Sequence, residues 1–245
     1  MSNSANTAAR LKEAAGLVEK ARAFIFDLDG TLYSGRNFRR HLLFSRTGEW
    51  FSPADIWYTW GERRTREVLS GCDYQNNETY FREFFSLLER MTFRNAVFLR
   101  QWYFGRYIPR MNEVIKRFYS ARPGTADLFK TIEAMGFPRA VYSDYPLPGK
   151  RLEAIGLDPD SCGMICGPET FGAQKPAPRP FLTIAEVFRR NPAEVLVVGD
   201  RDKTDGAGAA AVGMMYLRIA SQNSAGALQW SQFCDIIMDK YQQSP

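Results

Sequence analysis

A chain of 245 residues, 45% hydrophobic and 24% charged, can bury a sizeable core, which excludes a disordered segment. No apolar run approaches the ~18–20 residues needed to cross a bilayer, so no membrane partner is expected. The net charge of +5 admits a nucleic-acid partner, and where that charge sits along the chain bears on this possibility.

The start, Met1 to Thr7, is small and polar and lacks the basic-then-apolar pattern of a secretory signal. With four cysteines, too few for a disulfide scaffold, it points to a reducing cytoplasm. Cys162 and Cys166 are close in sequence, but the single histidine, His41, is far away, so these thiols read as buried or idle and not as a zinc site.

Residues 4–20 read as a helix, rich in Ala and Leu with no Pro. Ala23 to Phe26 is a short apolar run that stops at Asp27. The same event recurs further along. Arg139 to Tyr142 stops at Ser143, Met164 to Cys166 at Gly167, and Val195 to Val198 at Gly199 and Asp200. Met215 to Leu217 predicts a fifth strand and Asp235 to Met238 a weaker sixth. Helices are predicted over Thr125–Met135 and Pro180–Arg190, ended by Gly136 and by Asn191-Pro192. Alternating strands and helices predict an α/β fold with a Rossmann-like parallel sheet. In such a sheet ligands bind beyond the carboxyl ends of the strands, where Asp27, Ser143 and Asp200 fall.

Residues 35–119 break the alternation. They are rich in Arg and in aromatics: Trp50, Phe51, Trp57, Tyr58, Trp60, Tyr80, Phe81, Phe84, Phe85, Trp102, Tyr103 and Phe104. Phe81, Phe84, Phe85 and Leu88 keep helical spacing, so the segment reads as an α-helical insert whose aromatics form mostly its own core. Fifteen Lys plus Arg against nine Asp plus Glu give it a net charge of +6, and the rest of the chain comes to −1.

Asp27-Leu28-Asp29-Gly30-Thr31 directly follows the first strand, and here the chain resembles the haloacid dehalogenase superfamily. Ser143 ends the second strand as the second motif of that family requires. Gln174-Lys175-Pro176 matches the third. Gly199-Asp200-Arg201-Asp202-Lys203-Thr204-Asp205 matches the fourth, with acids at its second and last positions. Taken singly, each has an ordinary structural reading: a turn at Asp29-Gly30, a solvated Lys175, a helix cap at Ser143. Four motifs in order favour catalysis.

The resemblance implies a core over residues 1–34 and 120–245, with residues 35–119 as a helical cap. It also implies a Mg²⁺ ion held by Asp27, Asp200, the main-chain carbonyl of Asp29, and Asp205 either directly or through water. The residue chemistry leads the same way. A phosphate ester repels a carboxylate nucleophile, so hard oxygen ligands, a cation and Lys175 are needed to neutralise it before Asp27 attacks. Ser143, Lys175, Gly30 and Thr31 are the expected phosphate contacts. Asp29 can protonate the leaving oxygen and then deprotonate water. Dehalogenating relatives lack an acid there, so Asp29 implies a phosphatase or a phosphomutase. The expected function is therefore Mg²⁺-dependent hydrolysis of a small phosphorylated metabolite through an aspartyl-phosphate. A phosphomutase is the nearest alternative, and nucleic-acid binding through the basic insert an alternative of another class. Arg39, Arg40, Arg63 and Arg64 are the candidate substrate-reading residues of the insert.

Overall fold

The computed structural model describes residues 2–45, 51–219 and 227–242. Met1, Arg46, Glu49 and Trp50, which enter the reading above, lie outside the described residues.

Helix α1 (Ser2–Lys20) leads into β1 (Ala23–Phe26). Helices α2 (Phe38–Phe44), α3 (Pro53–Leu69), α4 (Asn77–Thr92), α5 (Ala96–Trp102) and α6 (Ile108–Phe118) follow, with one π-helical turn, Tyr103–Tyr107, between the last two. The alternation then resumes with α7 (Thr125–Ala134), β2 (Arg139–Tyr142), α8 (Pro148–Ala154), β3 (Met164–Cys166), α9 (Pro168–Phe171), α10 (Pro178–Phe188) and β4 (Val195–Gly199). A π-helical turn, Asp202–Gly206, precedes α11 (Ala207–Ala211), β5 (Met215–Arg218) and α12 (Trp230–Gln242).

The five strands form one sheet in the order β3-β2-β1-β4-β5, and every pairing is parallel. β1, β2 and β4 are buried along their whole length, and the edge strands β3 and β5 are only partly buried. That pattern is what an apolar run produces when helices cover both faces. Alternate residues serve opposite faces. Phe24, Phe26, Val141, Leu196 and Val198 join one apolar cluster, and Ala23, Ile25, Ala140, Tyr142, Val195 and Val197 join the other.

The predicted sixth strand is a correction. Asp235 to Met238 belongs to α12, where Trp230, Phe233, Cys234 and Ile237 are buried. Their spacing of three, four and seven residues is one face of a helix. That face packs on the sheet, with the ring of Phe233 6.3 Å from that of Phe26. A four-residue apolar window hides this longer period.

Between β1 and β2 the described residues hold helices and no strand. Helix α3 starts with a capping box in which Ser52 and Asp55 exchange side-chain and backbone hydrogen bonds, and Pro53 occupies its first turn. The same Asp55 accepts from Trp102 Nε1 at 2.7 Å and from Arg106 Nε at 3.0 Å, which fixes α3 against the following helices. Phe81, Phe84, Phe85 and Leu88 are buried as their spacing predicts. These side chains are continuous with the cluster on the α12 side of the sheet. Trp57 and Trp60 instead stack on each other at the surface, 4.8 Å apart.

Candidate active site

Parallel strands deliver their carboxyl ends to one edge of the sheet. Asp27 lies one residue beyond β1, and its backbone N–H still donates to the Val198 carbonyl of β4 at 2.9 Å. Asp200 follows β4 directly, and Asp205 follows within the next turn. One carboxylate oxygen from each of Asp27, Asp200 and Asp205 falls within 4.8 Å of the others. Glycines permit this crowding. Gly30 has φ +104°, and a Cβ there would lie 2.3 Å from Asp200 Oδ2. A Cβ on Gly199 would lie 2.5 Å from the carboxyl carbon of Asp205.

Lys175 closes the cluster. Its buried Nζ donates to Asp27 Oδ1 and Asp205 Oδ1, each at 2.7 Å, and to the Tyr142 carbonyl at 3.0 Å. Burial alone would lower the ammonium pKa. Asp205, Asp27 and Asp144 outweigh it and hold Lys175 well above its usual range. One lysine does not neutralise three acids. Burial, and then the Asp27 charge, push Asp200 up to about 6. Asp205 is pushed up to about 7 by burial, with Lys175 pulling the other way and Asp27 adding to the rise. Asp200 Oδ1 is buried with no hydrogen-bond donor, since Arg201 Nε stands 3.6 Å away. The cluster therefore has a deficit of positive charge and an unsatisfied oxygen, and this donor set fits a hard divalent cation.

Thr31 Oγ1 donates to Asp27 Oδ2 at 2.8 Å, which orients that carboxylate. Gly30 and Thr31 are held in turn by Arg122, whose guanidinium donates to their carbonyls at 3.1 and 2.7 Å. Ser143 and Asp29 meet each other: the Ser143 hydroxyl donates to Asp29 Oδ2 at 2.7 Å. Tyr33 donates to Asp29 Oδ1 at 2.7 Å, and Arg151 Nε lies 3.2 Å from the same oxygen. Burial would raise the Asp29 pKa, but Arg151, Tyr33 and Ser143 together hold it below the usual carboxylate range. The Asp29 carboxyl thus forms a second group beside the acidic cluster.

Several of these residues carry no signal in the sequence. Arg151 is fully buried and donates to Ser143 Oγ at 2.7 Å and to the carbonyls of Pro146 and Tyr145. Asp144 accepts from the Lys175 backbone N–H at 3.0 Å, and its carbonyl accepts from Arg66 Nη1 at 2.6 Å. Tyr33, four residues after Asp29, had the nearest thing to a sequence cue. Asp202 is exposed and pairs with Arg218 at 2.9 Å, as a solvated loop acid would. Cys162 and Cys166 are buried, and burial pushes their thiols up to about 11 and 12.

A cavity of about 450 Å³ opens beside this edge, between α2 and α3 on one side and the loops after β2 and β4 on the other. Its walls include Arg39, Glu62, Arg66, Asp144, Tyr145 and Arg201. Of the four arginines expected to read substrate, Arg39 and Arg63 line it, whereas Arg40 and Arg64 do not. Arg63 and Arg64 both pair with Glu67, at 2.8 and 2.9 Å. Among the described residues no helix is long and apolar enough to cross a membrane.

Comparison with known proteins follows the same lines. The phosphoglycolate phosphatase of Aquifex aeolicus is 33% identical over 100 residues, which cover 37% of this chain and 46% of that enzyme. The chain thus matches just under half the length of this curated relative. A predicted phosphoglycolate phosphatase from Haemophilus somnus superposes with a TM-score of 0.55 at 17% identity, over 90% of this chain and 98% of that one. The HAD-hydrolase YfnB of Bacillus subtilis, solved bound to magnesium, superposes with a TM-score of 0.60 at 18% identity, over 89% and 99%. At these identities the superpositions speak for the fold alone. The model of the haloacid dehalogenase-like hydrolases matches residues 21–213, from the start of β1 past the last acidic motif, and the chain belongs to that family.

Proposed function

We propose that this chain is a Mg²⁺-dependent phosphatase that hydrolyses a small phosphorylated metabolite through a phosphorylated Asp27. The observation that carries the reading is the Asp27 carboxylate itself. It stands at the sheet edge with Oδ1 on Lys175 and Oδ2 on Thr31, among acids that lack enough positive charge. A carboxylate held by both oxygens presents a fixed lone pair to a phosphorus atom, and fixed positioning is most of what phosphoryl transfer requires.

Asp27 and Asp200 are the direct metal ligands in this reading, with the Asp29 carbonyl. Asp205, whose oxygens accept from Lys175 and from the Arg201 backbone N–H at 3.3 Å, holds the ion directly or through water. Mg²⁺, when bound, supplies the positive charge that lets a phosphate dianion approach these acids. Lys175 adds a second positive charge next to Asp27.

Asp29 is the proton carrier. It lies two residues beyond the nucleophile, and its carboxyl rests against Ser143, Tyr33 and Arg151. In this resting arrangement it is ionised and suited to accept a proton from water. To donate one to the leaving oxygen it must leave the Arg151 pair and take a proton up. Ser143, released from Asp29, then has a hydroxyl for a phosphoryl oxygen.

Residues 35–119 act as a cap in this proposal, with α2 and α3 forming the roof of the cavity. A basic roof over an anionic substrate favours its capture. Binding of nucleic acid would leave the acidic cluster without a role.

The test is turnover of a panel of phosphate monoesters with Mg²⁺, with chelator, and with Mg²⁺ restored. Release of inorganic phosphate that vanishes with chelator and returns with Mg²⁺ is expected. Full activity after thorough chelation would reject the metal. Isomerised product without net phosphate release would replace the phosphatase with a mutase.

A further inference from the structure

The wall of the cavity facing the phosphate edge contains an acid that the phosphatase chemistry does not use. Glu62, on α3, is 1% exposed and lines the cavity. Its Oε2 accepts from Tyr107 at 3.2 Å. Its Oε1 has no aligned hydrogen-bond donor and faces only a long ion pair with Arg66 Nε at 3.4 Å. Arg66 is committed elsewhere: Nη1 donates to the Asp144 carbonyl, and the guanidinium stacks 3.7 Å over the Tyr145 ring. We propose that Glu62 is a specificity residue that accepts a hydrogen bond from the leaving group, and that the substrate is a phosphate ester whose alcohol carries a further hydroxyl or ammonium group.

This inference rests on the phosphatase reading, because it assigns the cavity to the part of the ester that is not phosphate. The geometry supports that division. Glu62 connects to the nucleophile through a short relay: Arg66 holds Asp144, Asp144 holds the Lys175 backbone, and Lys175 holds Asp27. Arg201 and Thr204, also in the cavity wall, neighbour the acids Asp200 and Asp205. An ester with its phosphate at Asp27 therefore extends its alcohol toward α3.

The choice of a donor-bearing alcohol follows from which groups are left unsatisfied. Buried polar atoms nearly always have hydrogen-bond partners, so a carboxylate oxygen of a cavity-lining residue that has only a long ion pair marks the place where a ligand donor belongs. Burial pushes the Glu62 carboxyl up to about 7 against the pull of Arg66 and Tyr107, which shows that its present partners do not offset the burial of its charge. A hydroxyl or ammonium group supplies the missing donor. The cavity's cations are less available to a carboxylate-bearing alcohol. Arg63 is paired with Glu67, Arg66 is held as above, Arg201 lies beside Asp200, and Arg39 already acts on the charge of Glu62. Such an alcohol would also bring a negative charge close to Glu62. Sites with a buried polar group waiting for a substrate partner reject analogues that lack it more strongly than sites reading shape alone.

The experiment compares kcat/KM on four esters with Mg²⁺: glycerol 3-phosphate, ethanolamine phosphate, phosphoglycolate and p-nitrophenyl phosphate. The wild-type chain and the variants Glu62→Gln and Glu62→Ala are measured. Wild type should favour at least one of the two donor-bearing esters over phosphoglycolate by about tenfold or more, the range of one hydrogen bond to a charged group. Glu62→Ala should erase that preference, chiefly through KM. Glu62→Gln keeps an acceptor oxygen but no charge, so it should retain more of any hydroxyl preference than of any ammonium preference, which tells the two donors apart. If wild type turns over p-nitrophenyl phosphate yet favours phosphoglycolate, or if both variants leave the ratios unmoved, the assignment of Glu62 is overturned and the phosphatase reading stands. If wild type hydrolyses none of the four, the phosphatase reading falls and this inference with it. A wild-type preference for phosphoglycolate overturns the assignment even if a variant does not fold, and the second variant then reads out whether a donor preference depends on Glu62.

Discussion

Arg151 shows how much of the site depends on a residue outside every motif. It has no solvent exposure, and it touches both Asp29 and Ser143. Replacing it with Met keeps the length and removes the cation, leaving Asp29 buried with only two hydroxyl donors. A buried charge stripped of its partner destabilises by several kcal/mol. Because Asp29 keeps some exposure, Arg151→Met should cost about 3 kcal/mol in urea unfolding. It should also lower turnover of p-nitrophenyl phosphate at least about tenfold, since Asp29 loses its fixed position. Unchanged unfolding and unchanged turnover would show that Arg151 is a bystander. Asp27, Ser143 and Asp200 were legible because each falls where an apolar run stops, and Lys175 and Asp205 because they sit in short motifs that resemble the family's. Arg151, Arg66 and Glu62 were not legible, because the contacts that bring them to the site, with Asp29, the Asp144 carbonyl and Tyr107, reach far along the chain. The pairing of Arg66 with the Asp144 carbonyl joins positions 78 residues apart, and no spacing rule reaches that far. Ser143 was found as a site residue, but its partner in this structure is Asp29, which strand ends alone do not reveal.

Among the elements, the strands of the sheet were read correctly because central parallel strands are continuous apolar runs. The element misread was α12. Its apolar residues recur at helical spacing from Trp230 to Ile237, and the local run Ile236-Ile237-Met238 imitates a strand. The helical assignment carries an energetic consequence. Phe233 is fully buried, with ring contacts to Phe26 and Trp230. Phe233→Ala should destabilise by about 3–5 kcal/mol, as deletion of a core aromatic does, and polar substitution at Asp235 should have little effect. A strand at 235–238 would instead make substitution of Asp235 costly in a thermal-unfolding comparison, because alternation would put Asp235 on the buried face with Ile237. The connection after α6 also matters. Arg122 within it donates to the carbonyls of Gly30 and Thr31, and its backbone N–H donates to the Leu32 carbonyl. A cap hinged at residues 120–124 would therefore pivot on the loop that carries Asp27 and Asp29.

On the scale of the whole molecule, insert and core share one apolar cluster, and the buried Glu62–Arg66 pair lies at their junction, where Arg66 donates to the Asp144 carbonyl. The burial of Glu62 there gives its contribution to stability a pH dependence of definite sign. Glu62 ionises near 4.5 in an unfolded chain and near 7 in the folded one. Between those values the folded state keeps a proton that the unfolded state has released, so stability falls as pH rises from 4.5 to 7 and loses nothing further from this group above 7. Arg66, Tyr107 and Arg39 act on the same carboxyl and leave the sign unchanged. Glu62→Gln never ionises, so its stability relative to wild type should improve across that window, by at most about 3 kcal/mol. Paired melts at pH 5 and pH 7.5 read this out. A constant difference between the two proteins would mean that Glu62 is not the group that titrates.

The central claim, that Asp27 is the attacking group, is tested most directly by the phosphatase activity of Asp27→Asn at saturating Mg²⁺. The variant should fold. Asp27 and Asp205 share Lys175 with Asp200 close by, and removing the charge of Asp27 relieves Asp200 and Asp205 while Lys175 keeps Asp205. Its circular dichroism and melting temperature should therefore stay close to wild type. Its turnover of p-nitrophenyl phosphate should fall by about 10³-fold or more, the scale of losing a covalent nucleophile. A folded Asp27→Asn protein that keeps more than about one part in ten of wild-type turnover would contradict the account, because an amide cannot take the phosphoryl group in the way proposed.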